Sequence, residues 1–138
     1  MNRTAMFFTI APVLIVVYVI ATFAHRPPTD MRVLGLILTI AGAAGMTLAR
    51  IQLGNSFSIT PQARELVTRG LYSKLRNPVY VFGTILIAGV ILFVERPKFL
   101  WCFLLLIPVQ ILRARAESKV LEEKFGESYR QYKAQTWF

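Results

Sequence analysis

Ala5-Met-Phe-Phe-Thr-Ile-Ala-Pro-Val-Leu-Ile-Val-Val-Tyr-Val-Ile-Ala-Thr-Phe-Ala24 runs for twenty residues without a charge. At a helical rise of ~1.5 Å per residue such a stretch crosses the ~30 Å hydrocarbon layer of a bilayer. A second uncharged block, residues 33–49, follows after His25-Arg-Pro-Pro-Thr-Asp-Met-Arg32, whose adjacent prolines mark a turn. The connection is short, so the first two helices are expected to be antiparallel neighbours. Gly35, Gly42, Ala43, Ala44 and Gly45 give the second block the small side chains that let membrane helices approach closely.

Moving further along the chain, residues 50–77 form the longest polar stretch, broken by Gly54, Pro61 and Gly70, with Thr60-Pro-Gln-Ala-Arg-Glu65 as a candidate short helix start. Polar connections of this length inside small proteins tend to carry function. Asn77 has the chemistry of an N-cap and Pro78 that of a first helical residue, so a third span is expected over 78–94. Glu95-Arg-Pro-Lys98 then turns the chain into a fourth apolar run, 99–112. From Arg113 the composition becomes polar, yet Leu121, Phe125, Tyr129 and Tyr132 keep to one side at helical spacing. That pattern predicts an amphipathic helix over about 113–133, with Gly126 as a point of interruption, extending from the fourth span along the membrane surface. The reading is an all-α integral membrane bundle of about four spans (5–24, 33–49, 78–94, 99–112), a single domain over 1–138.

Bulk composition agrees. Of 138 residues 55% are hydrophobic, and the mean hydropathy is +0.52, more apolar surface than a soluble domain of this size can bury. The formal charge of +9 would suit nucleic acid if it lined one polar face, but the basic residues lie between and after the apolar blocks. With four spans, Arg3, Arg50, Arg64, Arg69, Lys74, Arg76, Arg113, Arg115, Lys119, Lys124, Arg130 and Lys133 fall on one side, and Arg26, Arg32, Arg96 and Lys98 on the other. Twelve against four predicts that the N-terminus, long loop and C-terminal tail face the cytoplasm of an inner or plasma membrane. Thr22-Phe-Ala24 matches a signal-peptide cleavage site poorly, so the first span reads as a retained anchor. The single cysteine, Cys102, excludes an intramolecular disulfide, and with His25 as the one histidine no metal ligand set is expected.

Leu66-Val-Thr-Arg-Gly-Leu-Tyr-Ser-Lys-Leu-Arg-Asn-Pro-Val-Tyr80, followed by Gly83, resembles the "LVTxGPYxxxRHPxYxG" signature of the isoprenylcysteine carboxyl methyltransferase and phospholipid methyltransferase superfamily. Glu117-Ser-Lys-Val-Leu-Glu-Glu-Lys-Phe-Gly-Glu-Ser-Tyr-Arg-Gln-Tyr132 is similar to its "EExxLxxxFGxxYxxY" ending, and Gln52-Leu-Gly-Asn-Ser-Phe57 to its weaker "LGxxF" element. The motifs stand in the family order with a helical hairpin between them. The resemblance implies S-adenosylmethionine as methyl donor, held between the entrance of the third span and the C-terminal helix, and a lipophilic small-molecule or lipidated acceptor arriving from membrane lipid. Asn77 stands where the carboxyl methyltransferases carry His, Ser118 replaces the second Glu, and Thr136-Trp-Phe138 lacks the usual closing Arg. These departures weaken a prenylcysteine carboxylate as the acceptor while leaving the donor class intact.

On this resemblance the candidate donor-binding residues are Arg76, Asn77, Pro78, Tyr80, Glu117 and Leu121, with Tyr80 and Glu117 as candidate catalytic residues. The chemistry suits the donor: Arg76, the Tyr80 hydroxyl and the Asn77 amide complement a carboxylate at a helix start, and Glu117 complements an ammonium or ribose hydroxyls. Each residue also has a plainer reading. Arg76 and Lys74 suit interfacial charges, Asn77-Pro78 a helix cap, Tyr72 and Tyr80 aromatic anchors, and Glu117 a partner for Arg113. Two other functions stay open at this point: a membrane reductase using NADPH, which the short chain disfavours, and a non-catalytic scaffold of the same fold.

Overall fold

The computed structural model describes residues 3–53 and 66–137. Helix α1 spans Arg3–Phe23, α2 Asp30–Leu53, α3 Pro78–Phe93, α4 Phe103–Phe125 and α5 Glu127–Gln135, with short 3-10 turns at Gly70–Ser73 and Pro97–Cys102. All regular structure among the described residues is helical. Met6–Phe23, Asp30–Leu53 and Pro97–Phe125 are long and apolar enough to cross a membrane, and α3 is a shorter apolar helix of 16 residues. An all-helical membrane architecture satisfies every backbone group within its own segment, the condition for placing a chain in lipid. The candidate helix start at residues 60–65, Arg64, and the 54–57 part of the "LGxxF" resemblance lie outside the described residues.

Packing centres on α2 against α3. A side chain at Gly42 would collide with the backbone of Leu86, and one at Gly89 with the backbone of Thr39. Both positions therefore need glycine for the two backbones to touch. The small residues expected to mediate helix contact are thus assigned a partner: α2 buries its glycine face on α3, while α1 packs on α2 more sparsely.

The end of the bundle where α1, α2 and α3 meet is held by Arg32. Its side chain is buried, its guanidinium lies 5.0 Å from the Phe93 ring and 5.6 Å from the Phe23 ring, and it donates to the carbonyls of Pro27 (2.8 Å) and Thr22 (3.4 Å). Thr29 donates from its hydroxyl to Glu95 Oε1 at 2.6 Å, tying the α1–α2 turn to the end of α3.

The predicted boundaries of α1 and α3 lie within two residues of the observed ones, and those of α2 and α4 differ by more. Helix α2 extends three residues earlier and four later than the uncharged block, because Asp30, Arg32 and Arg50 are helix-compatible charges that the apolar pattern excludes but helical hydrogen bonding does not. Asp30 suits the positive N-terminal end of the helix, and Arg50 the opposite end. The fourth helix starts later than the apolar run, at Phe103 after a 3-10 turn, and continues past residue 112 to Phe125 as the helical spacing beyond Arg113 predicts. The Arg-Ala-Arg-Ala-Glu segment after Leu112 consists of good helix formers, so polarity changes while the helix continues. The break falls at Gly126, with φ of 56°.

Candidate functional site

The turn at Gly126 lets α5 fold back on the loop that precedes α3. Tyr129 and Tyr132 are buried, and Tyr129 donates to Ser118 Oγ on α4 at 2.7 Å. Three bonds then clasp the tail to residues 74–76. Tyr132 donates from its hydroxyl to the Leu75 carbonyl at 3.4 Å, Arg76 from Nη1 to the Lys133 carbonyl at 3.2 Å, and Trp137 from its backbone N–H to the Lys74 carbonyl at 2.9 Å. The loop is itself pinned to the end of α2: Leu71 N–H donates to Gln52 Oε1 at 2.8 Å, and Tyr72 is buried in a small core with Val67 and Ala49. Segments sixty residues apart in the chain thus share one end of the bundle.

At that end α3 and α4 are joined side chain to side chain. The Tyr80 hydroxyl donates to Glu117 Oε1 at 2.5 Å, and the Arg113 guanidinium lies over the Tyr80 ring, 5.6 Å from its centre. One turn deeper on α3, the Thr84 hydroxyl lies 2.9 Å from Gln110 Oε1 and 2.8 Å from the Tyr80 carbonyl. Tyr80 and Thr84 are four residues apart on α3, and Gln110 and Glu117 seven apart on α4, so each pair lies on one helix face. The outcome is a two-rung polar seam between helices that are otherwise apolar at this level.

The sequence-predicted residues are distributed as follows. Tyr80 and Glu117 are in direct contact, both half-buried. Asn77 occupies the N-cap position of α3, but its side chain makes no capping bond; its carbonyl accepts from Tyr80 N (3.1 Å) and Val81 N (3.2 Å). Pro78 is the first helical residue and is buried. Arg76 is committed through Nη1 to holding the tail, while its Nε is buried and makes no hydrogen bond. Leu121 lies half-buried one turn beyond Glu117 on α4. Thr84 and Gln110 were not singled out from the sequence. Their signal was present in Gln110, a lone amide inside the apolar run 99–112. Glu117 feels the charge of Arg113, as the i, i−4 spacing suggests, and both also engage Tyr80, Glu117 through its hydroxyl and Arg113 over its ring.

Burial pushes the Tyr72 phenol above the ordinary phenol range, reinforced by Tyr132 and Glu117 and opposed by Arg50. Burial likewise pushes Tyr132 up to about 12, with Tyr129 adding and Arg76 opposing. Both phenols are therefore neutral hydrogen-bonding groups at physiological pH. Among the described residues no cluster of three His, Cys, Asp or Glu could hold a metal ion.

A family model described as phospholipid methyltransferase matches residues 29–128. The chain belongs to the phospholipid methyltransferase family. The matched region runs from the turn before α2 into the start of α5 and so contains both rungs of the seam and the loop that α5 clasps. No curated protein and no solved structure matches the chain. Membership in the phospholipid methyltransferase family, together with its apolar helices, makes this a membrane methyltransferase.

Proposed function

We propose that the protein transfers a methyl group from S-adenosylmethionine to a lipid acceptor at the end of the bundle where α3 begins, with Arg76, Asn77, Pro78, Tyr80, Glu117 and Leu121 forming the donor site. The observation that carries this reading is the Tyr80–Glu117 hydrogen bond, which joins the two motif segments across α3 and α4. The residues present suit the donor. Arg76 Nε is a buried donor with no partner, which a carboxylate would satisfy, and the Asn77 carboxamide is not used in capping. Glu117 offers an acceptor for an ammonium or ribose hydroxyl, and Pro78 starts α3 without requiring a bond to its missing N–H.

When bound, the donor supplies a methyl carbon already activated by a sulfonium, so the chain's task is placement and exclusion of water. The clasp between α5 and residues 74–76 holds the C-terminal tail beside the start of α3. The Tyr80 hydroxyl fixes the Glu117 carboxylate, and the Arg113 guanidinium over the same ring holds the phenol in place. An amine acceptor must lose a proton before attack, and Glu117 is the nearest base; a carboxylate acceptor needs none. The family match favours methyl transfer over nicotinamide-dependent reduction. We place the N-terminus, loop and tail on the cytoplasmic side, where the donor is made available, in keeping with the distribution of basic residues.

The test is calorimetric titration of the purified protein in detergent with S-adenosylhomocysteine, the demethylated donor, and separately with NADPH. Saturable binding of the first alone is expected. Binding of neither would leave a scaffold role, and binding of NADPH alone a reductase.

A further inference from the structure

We propose that Gln110 reads a carbonyl oxygen on the acceptor lipid, so that the second rung of the seam selects acyl-ester lipids and sets the depth at which they sit. Gln110 lies in the apolar part of α4, between Val109 and Ile111. A carboxamide at such a depth loses water's hydrogen bonds and is costly unless its donors and acceptor are met. Thr84 meets the Oε1 end at 2.9 Å. The Thr84 hydroxyl has one proton to share between the Tyr80 carbonyl and the Gln110 carboxamide, and among the described residues the carboxamide makes no other hydrogen bond, so at least one of its N–H donors is held in orientation without a protein acceptor. Thr84 and Gln110 are both half-buried, and the neighbouring α4 residues Leu105, Val109 and Leu112 are exposed apolar surface. A lipid chain lying along that surface brings its own polar atoms to the seam.

The spacing narrows the ligand chemistry. Thr84 lies four residues beyond Tyr80, roughly 6 Å deeper along α3. A ligand with its nucleophilic atom beside the Tyr80–Glu117 pair would meet Gln110 with a group about one helical turn further into the bilayer. In a diacyl glycerolipid the groups at that level are the acyl carbonyls, neutral acceptors that an amide N–H can donate to. An ether-linked lipid of the same headgroup presents a much weaker acceptor there. If Gln110 served only to bind α3 to α4, Oε1 alone would suffice and the two lipids would be held alike.

This inference rests on the methyl-transfer reading for its acceptor, and its test is kept separate from that reading. Native mass spectrometry in detergent would compare dioleoyl phosphatidylethanolamine with its dialkyl ether counterpart on wild-type protein and on Gln110→Met, which keeps side-chain length and removes the donors. The expected result is a preference of about fivefold for the diacyl lipid, the worth of one neutral hydrogen bond, that disappears in Gln110→Met while S-adenosylhomocysteine affinity is unchanged. Equal binding of the two lipids by wild type, binding of neither, or a preference that persists in Gln110→Met overturns it. Should Gln110→Met not fold, Thr84→Val, which removes the bond orienting the carboxamide, must reduce the preference, and an undiminished preference is equally fatal. Failure of wild type to bind S-adenosylhomocysteine would overturn the functional reading instead.

Discussion

Tyr80 and Glu117 are the residues on which the site turns, and their contact defines what each substitution does. Tyr80→Phe removes one hydrogen bond from a half-buried carboxylate, and we expect it to weaken S-adenosylhomocysteine binding by roughly tenfold while the helices persist. Glu117→Ala is expected to weaken it at least as much, because it removes the carboxylate itself; unchanged affinity in both variants would count against the donor site. Arg32 makes the contrasting case. It is buried between Phe23 and Phe93 and donates to the Pro27 carbonyl of the loop and the Thr22 carbonyl in the last turn of α1, at the other end of α3. Arg32→Ala should lower thermal stability in detergent by about 1–3 kcal/mol through the lost bond to the Pro27 carbonyl and lost ring contacts, the Thr22 carbonyl keeping the His25 N–H, with donor affinity at low temperature unaltered. Arg32→Lys should restore little, since a single ammonium cannot reproduce the planar fork.

Among elements, the α2–α3 pair is the rigid part. Gly42→Val would force the α2 and α3 backbones apart at Leu86 and is expected to destabilise the fold by about 3 kcal/mol or more, in the manner of overpacked cores. Gly83→Ala is the control: the nearest atom to its added methyl would be Met46 Sδ at 3.9 Å, ordinary contact, and helicity should improve slightly. Helix α5 is the detachable part, fixed by a few bonds and two buried tyrosines. Tyr132 has its proton affinity raised by burial to about 12 from an ordinary 10.0, so the docked state favours the neutral phenol. Its contribution is fully present below pH 10 and is lost as pH rises through about 12. Absorbance titration of tyrosinate near 295 nm, read beside protease cleavage after Gly126, should show α5 released in that window; release complete below pH 9 would contradict the assignment.

For the whole molecule, the arrangement of spans decides whether the site exists. The structure brings residues 74–76 against residues 132–137, which requires the loop and the tail to share one side of the membrane. Lys74 and Lys119 are both exposed. In a Cys102→Ser background, Lys74→Cys and Lys119→Cys are expected to react with an impermeant maleimide from the same side, the cytoplasmic one. Labelling from opposite sides would exclude the proposed site.

The amino-acid sequence by itself determined that the chain lies in a membrane, about where its helices run, and which motifs carry its chemistry. Apolar run length, proline and glycine punctuation and the distribution of basic residues are local properties, so they can be read residue by residue. The pairing of Tyr80 with Glu117 was implicit in two motifs of one family, but their contact was not. What only the tertiary structure decided was partnership across helices: which face of α2 meets α3, that Arg32 is buried rather than interfacial, that Arg76 holds the tail, and that Thr84 and Gln110 form a second rung. Those depend on the rotation of each helix about its axis, which α1, α3 and the first half of α4 leave unspecified by being apolar nearly all round. Only the close approach permitted by Gly42 and Gly89, and the few polar side chains that must find partners away from water, select one rotation from the rest.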